Sequence, residues 1–178
     1  MKTQFAIIFT ATIILAGCQD KPASADAVAT DPGAVPAPVE ALAPAVPTTS
    51  IVRVVGQDEL PSEPGVGTVA DGKISSTGKA GYLVYGPYSA LDAGTYQVTL
   101  DGVVESLPEG SHATVDVVSN QGNNTLGSAE IASAPAAGAA LADFVATVPA
   151  SVTDVEVRLF VPENARVSVS GYRVQPKQ

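Results

Sequence analysis

The sequence predicts an all-β fold for residues 51–178, a two-sheet β-sandwich of the jelly-roll type. After Ser50, short runs of β-branched residues are separated by turn residues, with a spacing of about 8 to 12 positions. Several runs alternate apolar and polar side chains, as strands with one buried face do. No long helical period is present, because Pro135 and Gly138 interrupt the alanine-rich stretch 128–142. We interpret that stretch as a loop flanked by strand ends.

These patterns define nine predicted strands, each a short run bounded by glycine, proline or small polar residues. The strands are Ile51–Val55, Val66–Ala70, Gly81–Tyr85, Thr95–Leu100, Ala113–Val118, Thr125–Ile131, Leu141–Val148, Val155–Val161 and Val167–Val174.

The alternation of apolar and polar residues predicts which side chains of several strands face the core. Tyr96, Val98 and Leu100 share one face of the fourth strand, so we expect Tyr96 in the core. In the strand 155–161, apolar residues at odd positions oppose Glu156 and Arg158. In the last strand the apolar phase changes after Val169, which predicts a bulge near residues 170–171. The dipeptides 71–72 and 101–102, both Asp-Gly, predict tight hairpin turns.

The first 17 residues have the features of a signal peptide. Lys2 precedes a 13-residue, mostly apolar run from Phe5 to Gly17. This run is shorter than the roughly 20 residues that a transmembrane helix needs, but it suits the apolar part of a secretory signal. Residues 1–17 are therefore predicted to direct export.

The segment Leu15-Ala16-Gly17-Cys18 resembles the lipobox of bacterial lipoproteins. The resemblance implies cleavage before Cys18 and attachment of a diacylglyceryl group to its thiol, and further acylation would give stable membrane anchoring. Cys18 is the single cysteine, so it has no intramolecular disulfide partner. Gln19 follows it, which in this family favours the outer membrane without assigning a face. The alternative is an ordinary cleaved signal with an incidental cysteine at the boundary.

Residues 18–50 are predicted to form a disordered tether that carries the lipid at Cys18. Six prolines stand among alanines, and the stretch has no aromatic residue and no hydrophobic period. Such a composition cannot bury enough apolar surface to offset the entropy of ordering. A second interpretation is a binding epitope for a partner with an aromatic groove.

Charge and composition exclude several functions. The net charge is −9, and it becomes −10 when Lys2 leaves with residues 1–17. Without a basic cluster, a surface this acidic repels nucleic acid. His112 is the single histidine and follows an apparent loop, so we predict that the protein is not an enzyme. Calcium would suit loop carboxylates, but no segment has the spacing of a known calcium loop, so no cofactor or metal ligand is assigned.

The segment 81–98, which contains Tyr-Gly-Pro-Tyr and Ala-Gly-Thr-Tyr, resembles the carbohydrate-binding-module type of β-sandwich, together with 155–160 and 170–174. The resemblance implies glycan binding, for which exposed aromatic rings and polar side chains are suited. The candidate ligand-contacting residues are Tyr82, Tyr85, Tyr88 and Tyr172. Packing in the core with the hydroxyl at the rim is the alternative for these tyrosines. A polar loop, 120–124, could also contact hydroxyl groups.

Two functions therefore stay open from the sequence. The first is a membrane-anchored envelope lipoprotein whose non-catalytic sandwich binds a polysaccharide. The second is a structural or assembly lipoprotein whose sandwich face or edge strand docks onto a protein complex of the envelope.

Overall fold

The computed structural model describes residues 46–178. The predicted signal peptide, Cys18 and the tether up to residue 45 lie outside the described residues. Among residues 46–178, no helix is long and apolar enough to cross a membrane.

The described residues form eleven β-strands and no helix. The strands are β1 (Ile51–Val54), β2 (Gly67–Ala70), β3 (Lys73–Ser76), β4 (Gly81–Val84), β5 (Pro87–Leu91), β6 (Gly94–Ser106), β7 (Ala113–Ser119), β8 (Asn124–Ile131), β9 (Ala142–Val148), β10 (Val152–Val161) and β11 (Arg166–Pro176).

The strands pair antiparallel in two sheets, which confirms the predicted sandwich. Sheet I has the order β2-β3-β11-β6-β9, with β1 also paired to β11. Sheet II has the order β4-β10-β7-β8, with β5 also paired to β10. Consecutive strands such as β3 and β4, β6 and β7, or β10 and β11 lie in opposite sheets. This alternation between sheets is the strand order of a jelly roll.

The core lies between the sheets and is built from the inward positions of the alternating strands. Tyr96, Val98 and Leu100 of β6 are buried, as alternation predicts. Val157 and Leu159 of β10 are buried on the facing sheet. The two inner faces thus remove a continuous apolar surface from water, which is the main driving force for the fold.

Turn chemistry is confirmed at one Asp-Gly dipeptide and wrong at the other. Asp71 and Gly72 have φ values of 51° and 70° and connect β2 to β3, as a primed hairpin turn requires. Asp101 and Gly102 lie inside β6 instead, and Gly102 pairs with Val169 of β11. A register shift between Val169 and Gly171 forms the predicted bulge. The stretch between β8 and β9 is a loop, as expected.

The last residues of the predicted tether contact the sandwich. The Thr49 hydroxyl donates a hydrogen bond of 2.7 Å to Asp92 Oδ2. Pro47 lies against Gly94, where an added Cβ would meet its ring. Residues 46–50 contain no strand, but these contacts show that ordered packing begins before the predicted boundary at residue 51.

Two buried tyrosines make the stability of this core sensitive to alkaline pH. Burial raises the pKa of Tyr172 and Tyr96 above the ordinary value of 10, and the nearby Asp92 charge also raises the pKa of Tyr96. Above pH 10 the unfolded chain loses these protons before the folded chain does, so the free energy of unfolding falls as pH rises. Below pH 10 the contribution is fully present.

Urea unfolding between pH 8 and 11 measures this effect. Tyr172→Phe is expected to flatten the alkaline decline, since it removes one of the tyrosines whose pKa is raised by folding. It also removes the hydrogen bond of 3.0 Å from the hydroxyl to the Gly86 carbonyl, which costs about 1 kcal/mol at neutral pH. An alkaline decline as steep in Tyr172→Phe as in the unmodified chain would contradict the assignment.

Candidate functional site

The outer surface of sheet II carries the strongest cluster of aromatic and charged side chains among the described residues. On β10, alternation directs Glu156, Arg158 and Phe160 away from the core. In the adjacent strands, Asp116 of β7 pairs with Arg158, and Tyr82 of β4 pairs with Phe160. We call this surface, with Tyr88 of β5, the β10 face.

Arg158 is the fixed centre of the β10 face. Its Nε and Nη2 atoms donate hydrogen bonds of 2.9 Å and 2.6 Å to the two carboxylate oxygens of Asp116. The guanidinium also lies 5.1 Å from the ring centroid of Tyr82, a cation–π distance. The hydrogen bonds to Asp116 raise the pKa of Arg158, so its guanidinium keeps its charge at neutral pH. A bidentate pair of this geometry orients both side chains.

An aromatic pair lies beside this centre. The rings of Tyr82 and Phe160 meet edge to face, with centroids 5.7 Å apart and an interplanar angle of 80°. Tyr82 is half-buried, whereas Phe160 is 40% exposed. The edge-to-face contact holds Tyr82 in place and leaves the ring of Phe160 open to solvent.

Tyr88 is the most exposed aromatic residue of the β10 face. Its side chain is 56% exposed, and its backbone has a φ of 62°, in the left-handed region that bulky residues rarely adopt. The hydroxyl donates a hydrogen bond of 3.2 Å to Glu156 Oε1, and Glu156 is buried. Desolvation first, and then the Glu156 charge, raise the pKa of Tyr88, so the hydroxyl keeps its proton.

The turn between β7 and β8 lies beside this face. Asn120 and Gln121 both have positive φ values, 52° and 55°. The backbone N–H of Gln121 donates a hydrogen bond of 3.2 Å to Asp154 Oδ2, so the turn contacts the start of β10. An added Cβ on Gly122 would lie 2.8 Å from Arg158 Nη1. The predicted polar loop is thus placed next to Arg158.

Left-handed backbone conformations occur at Tyr88 and in the β7–β8 turn beside the β10 face. Among residues 46–178, five non-glycine residues have positive φ, and Tyr88, Asn120 and Gln121 are three of them. Such conformations cost of order 1–3 kcal/mol each and cluster at binding and catalytic sites.

A groove of 370 Å³ adjoins Tyr88 on the side away from β7. Its lining residues are Arg53, Asp58, Glu59, Pro61, Gly86, Pro87 and Tyr88. The Gly86–Pro87 peptide is cis, and the Gly86 carbonyl accepts hydrogen bonds from the Tyr172 hydroxyl and the Val157 amide. These bonds fix the segment that presents Tyr88.

The four candidate tyrosines have different environments. Tyr88 is exposed on the β10 face, and Tyr82 is a half-buried part of it. Tyr85 is half-buried, and its amide donates a hydrogen bond of 3.1 Å to the Pro61 carbonyl. Tyr172 is only 2% exposed, so its assignment as a ligand-contacting residue is wrong. The bulge in β11 returns Tyr172 to the core side, where it supports the Gly86 carbonyl.

Sequence reasoning did not assign Glu156, Arg158, Asp116 or Phe160 to the site. Alternation in the run 155–161 predicts that Glu156 and Arg158 lie on the solvent-exposed face of a strand, and Phe160 lies on the same face. Their partners depend on the register between β10 and its neighbours, which no local pattern specifies.

The described residues do not group ionisable side chains for metal binding. Residues 46–178 contain no cluster of three or more His, Cys, Asp and Glu side chains that could hold a metal ion. His112 Nε2 lies 3.6 Å from Glu130 Oε1, and both side chains are exposed. The chemistry that the β10 face offers is stacking by Tyr88 and Phe160, with the Glu156 and Asp116 carboxylates and the Arg158 guanidinium as hydrogen-bonding groups.

The chain was compared with known proteins by sequence and by structure. No protein-family model, curated protein or solved structure matches it.

Proposed function

We propose that the protein is a non-catalytic glycan-binding lipoprotein of the bacterial envelope, and that the β10 face is its binding surface. The observation that carries this proposal is Tyr88. The residue is 56% exposed, its hydroxyl is hydrogen-bonded to the buried Glu156, and its backbone has a left-handed φ. An exposed aromatic ring that is held by a buried carboxylate and a left-handed backbone is oriented in advance, as a ligand-stacking residue needs to be.

The side chains of the β10 face suit the binding of a sugar ring. Pyranose rings present C–H groups that pack on an aromatic face, and their hydroxyl groups need both donors and acceptors. On the β10 face, Tyr88 and Phe160 supply the aromatic contacts. Glu156 supplies an acceptor, and the side chains of Asn120 and Gln121 supply amide groups of both kinds.

The membrane anchor is proposed from the N-terminal sequence. The segment ending in Cys18 supports lipid attachment, and the following proline-rich residues support a tether that holds the sandwich away from the bilayer. Gln19 supports the outer membrane as the site of attachment. The protein would thereby retain a polysaccharide at the cell envelope.

Replacing Tyr88 tests the binding surface. We expect the purified chain to bind a polysaccharide from a panel of envelope and extracellular glycans, measured by titration calorimetry. Tyr88→Ala is expected to weaken that binding about tenfold or more, because it removes a stacking contact of about 1.5 kcal/mol. Tyr88→Phe keeps the ring and is expected to retain most of the affinity.

Val69→Ala is the matched control, because Val69 is an exposed apolar residue of sheet I. It should leave the affinity unchanged. If no glycan of the panel binds and crosslinking instead recovers a protein partner that survives glycan removal, the protein is an assembly lipoprotein and the glycan proposal is wrong.

A further inference from the structure

The β10 face has two exposed aromatic positions rather than one. Tyr88 is bonded to Glu156, and Phe160 lies four residues further along the same strand. At the rise of a β-strand, Phe160 and Glu156, which accepts the hydrogen bond of the Tyr88 hydroxyl, are about 13 Å apart along β10. The Arg158–Asp116 pair lies between them on the same face. This length exceeds that of one pyranose ring, so a single sugar cannot contact both aromatic positions.

The charges around this face disfavour an anionic ligand. Glu156, Asp154 and Glu130 lie on or beside it, and Asp58 and Glu59 line the groove next to Tyr88. Arg158 already donates two hydrogen bonds to Asp116, whose negative charge offsets its own. In the groove next to Tyr88, the lining cation is Arg53. Like charges at close range repel more strongly at a protein surface than in bulk water, because the effective dielectric constant there is lower. A uronate, sulfate or phosphate group would meet several such carboxylates.

We infer that the ligand is an uncharged polysaccharide, bound as an extended segment of several sugar units along β10, with one sugar on Tyr88 and another on Phe160. This inference rests on the proposed function and specifies its substrate class. The Arg158–Asp116 pair then serves the segment between the two stacked sugars. Its fixed geometry offers hydroxyl groups an acceptor and a donor without rearrangement.

A length series tests the inference. The full chain in detergent is titrated with neutral oligosaccharides of one to six units built from glucose, galactose, mannose or N-acetylglucosamine, and with uronic acid oligomers of the same lengths. For the neutral sugar that binds, affinity is expected to rise about tenfold between the disaccharide and the hexasaccharide, since the longer ligand gains a second stacking contact.

The two aromatic variants should separate short from long ligands. Phe160→Ala is expected to lower hexasaccharide affinity about tenfold and disaccharide affinity by much less, because the short ligand occupies the more exposed Tyr88. Tyr88→Ala is expected to lower the affinity of both. Phe160→Tyr keeps a ring and controls for loss of folding, which thermal unfolding of each variant also monitors.

Each other outcome overturns the inference in an identifiable way. Binding of the uronic acid series in preference to the neutral one would refute the charge argument and leave glycan binding intact. Neutral binding that is independent of length, or insensitive to Phe160→Ala, would refute the extended segment alone. Absence of binding to either series would refute the proposed function together with the inference.

Discussion

Replacing Cys18 by serine is expected to move the protein from the membrane fraction to the soluble fraction of an expressing bacterium. The serine hydroxyl cannot form the thioether that links a diacylglyceryl group to the chain. Each buried CH₂ of an acyl chain contributes about 0.8 kcal/mol to membrane binding, and stable attachment needs two chains or more. The sandwich carries a large negative charge excess and offers no electrostatic attraction to anionic lipids as a replacement.

Fractionation with labelled palmitate measures both parts of this prediction. The unmodified chain should incorporate the label and sediment with membranes, whereas Cys18→Ser should do neither. Ser24→Ala, a substitution six residues further along the predicted tether, serves as the control and should behave as the unmodified chain does. A soluble, unlabelled wild-type protein would instead support the ordinary signal peptide with an incidental cysteine.

Most of the fold followed from periodicity, because the jelly roll is built from strands that each bury one face. The nine predicted strands are all present. The two that were missed have little local pattern: β3 buries one large apolar residue, Ile74, and β5 begins at Pro87, which lacks an amide donor. Both strands exist because longer neighbours, β11 and β10, offer them unpaired edges. Such pairing is a tertiary effect that a short segment does not encode.

The candidate site was less predictable than the fold, and Tyr88 and Tyr172 show why. Both are tyrosines in or beside predicted strands, so composition could not separate them. Tyr172 is buried because the bulge in β11 shifts its side-chain phase. Tyr88 is exposed because it occupies an outward position of β5, a strand that the sequence pattern did not predict. Periodicity arguments need both the strand and its regular geometry, and each tyrosine lacked one of the two.

The hairpin turn predicted at Asp101-Gly102 was wrong, because both residues lie inside β6. An Asp-Gly dipeptide is a strong hairpin signal because glycine accepts positive φ. In the structure the backbone of Gly102 is extended, and glycine is required because there is no room for a Cβ atom on its Cα. An added Cβ would lie well inside van der Waals contact of the Ser168 carbonyl oxygen, and 3.1 Å from the Val169 Cα of β11. The glycine therefore permits a close approach of β6 and β11 at the bulge.

Gly102→Ala is accordingly expected to destabilise the sandwich by about 3 kcal/mol, at the upper end for insertion of a methyl group into packed structure. The obstructing atoms belong to the backbone of β11, which pairs with β6 from Arg166 to Pro176. They cannot move aside without disturbing that long pairing. For a domain of this size the loss corresponds to a fall in Tm of roughly 10 °C, which calorimetry measures directly.

The sign of the stability change in Gly102→Ala distinguishes a steric clash with β11 from an effect of strand propensity. Alanine in place of glycine inside a strand ordinarily gains stability, because glycine loses more conformational entropy on folding. Gly110→Ala is the control, since Gly110 has a φ of 71° and no atom within 4 Å of its added Cβ. Its expected cost is about 1 kcal/mol, from the left-handed backbone alone. A Gly102→Ala variant as stable as the unmodified chain, or less affected than Gly110→Ala, would show that β6 and β11 can separate at the bulge. In that case the close approach would not be what requires glycine at this position.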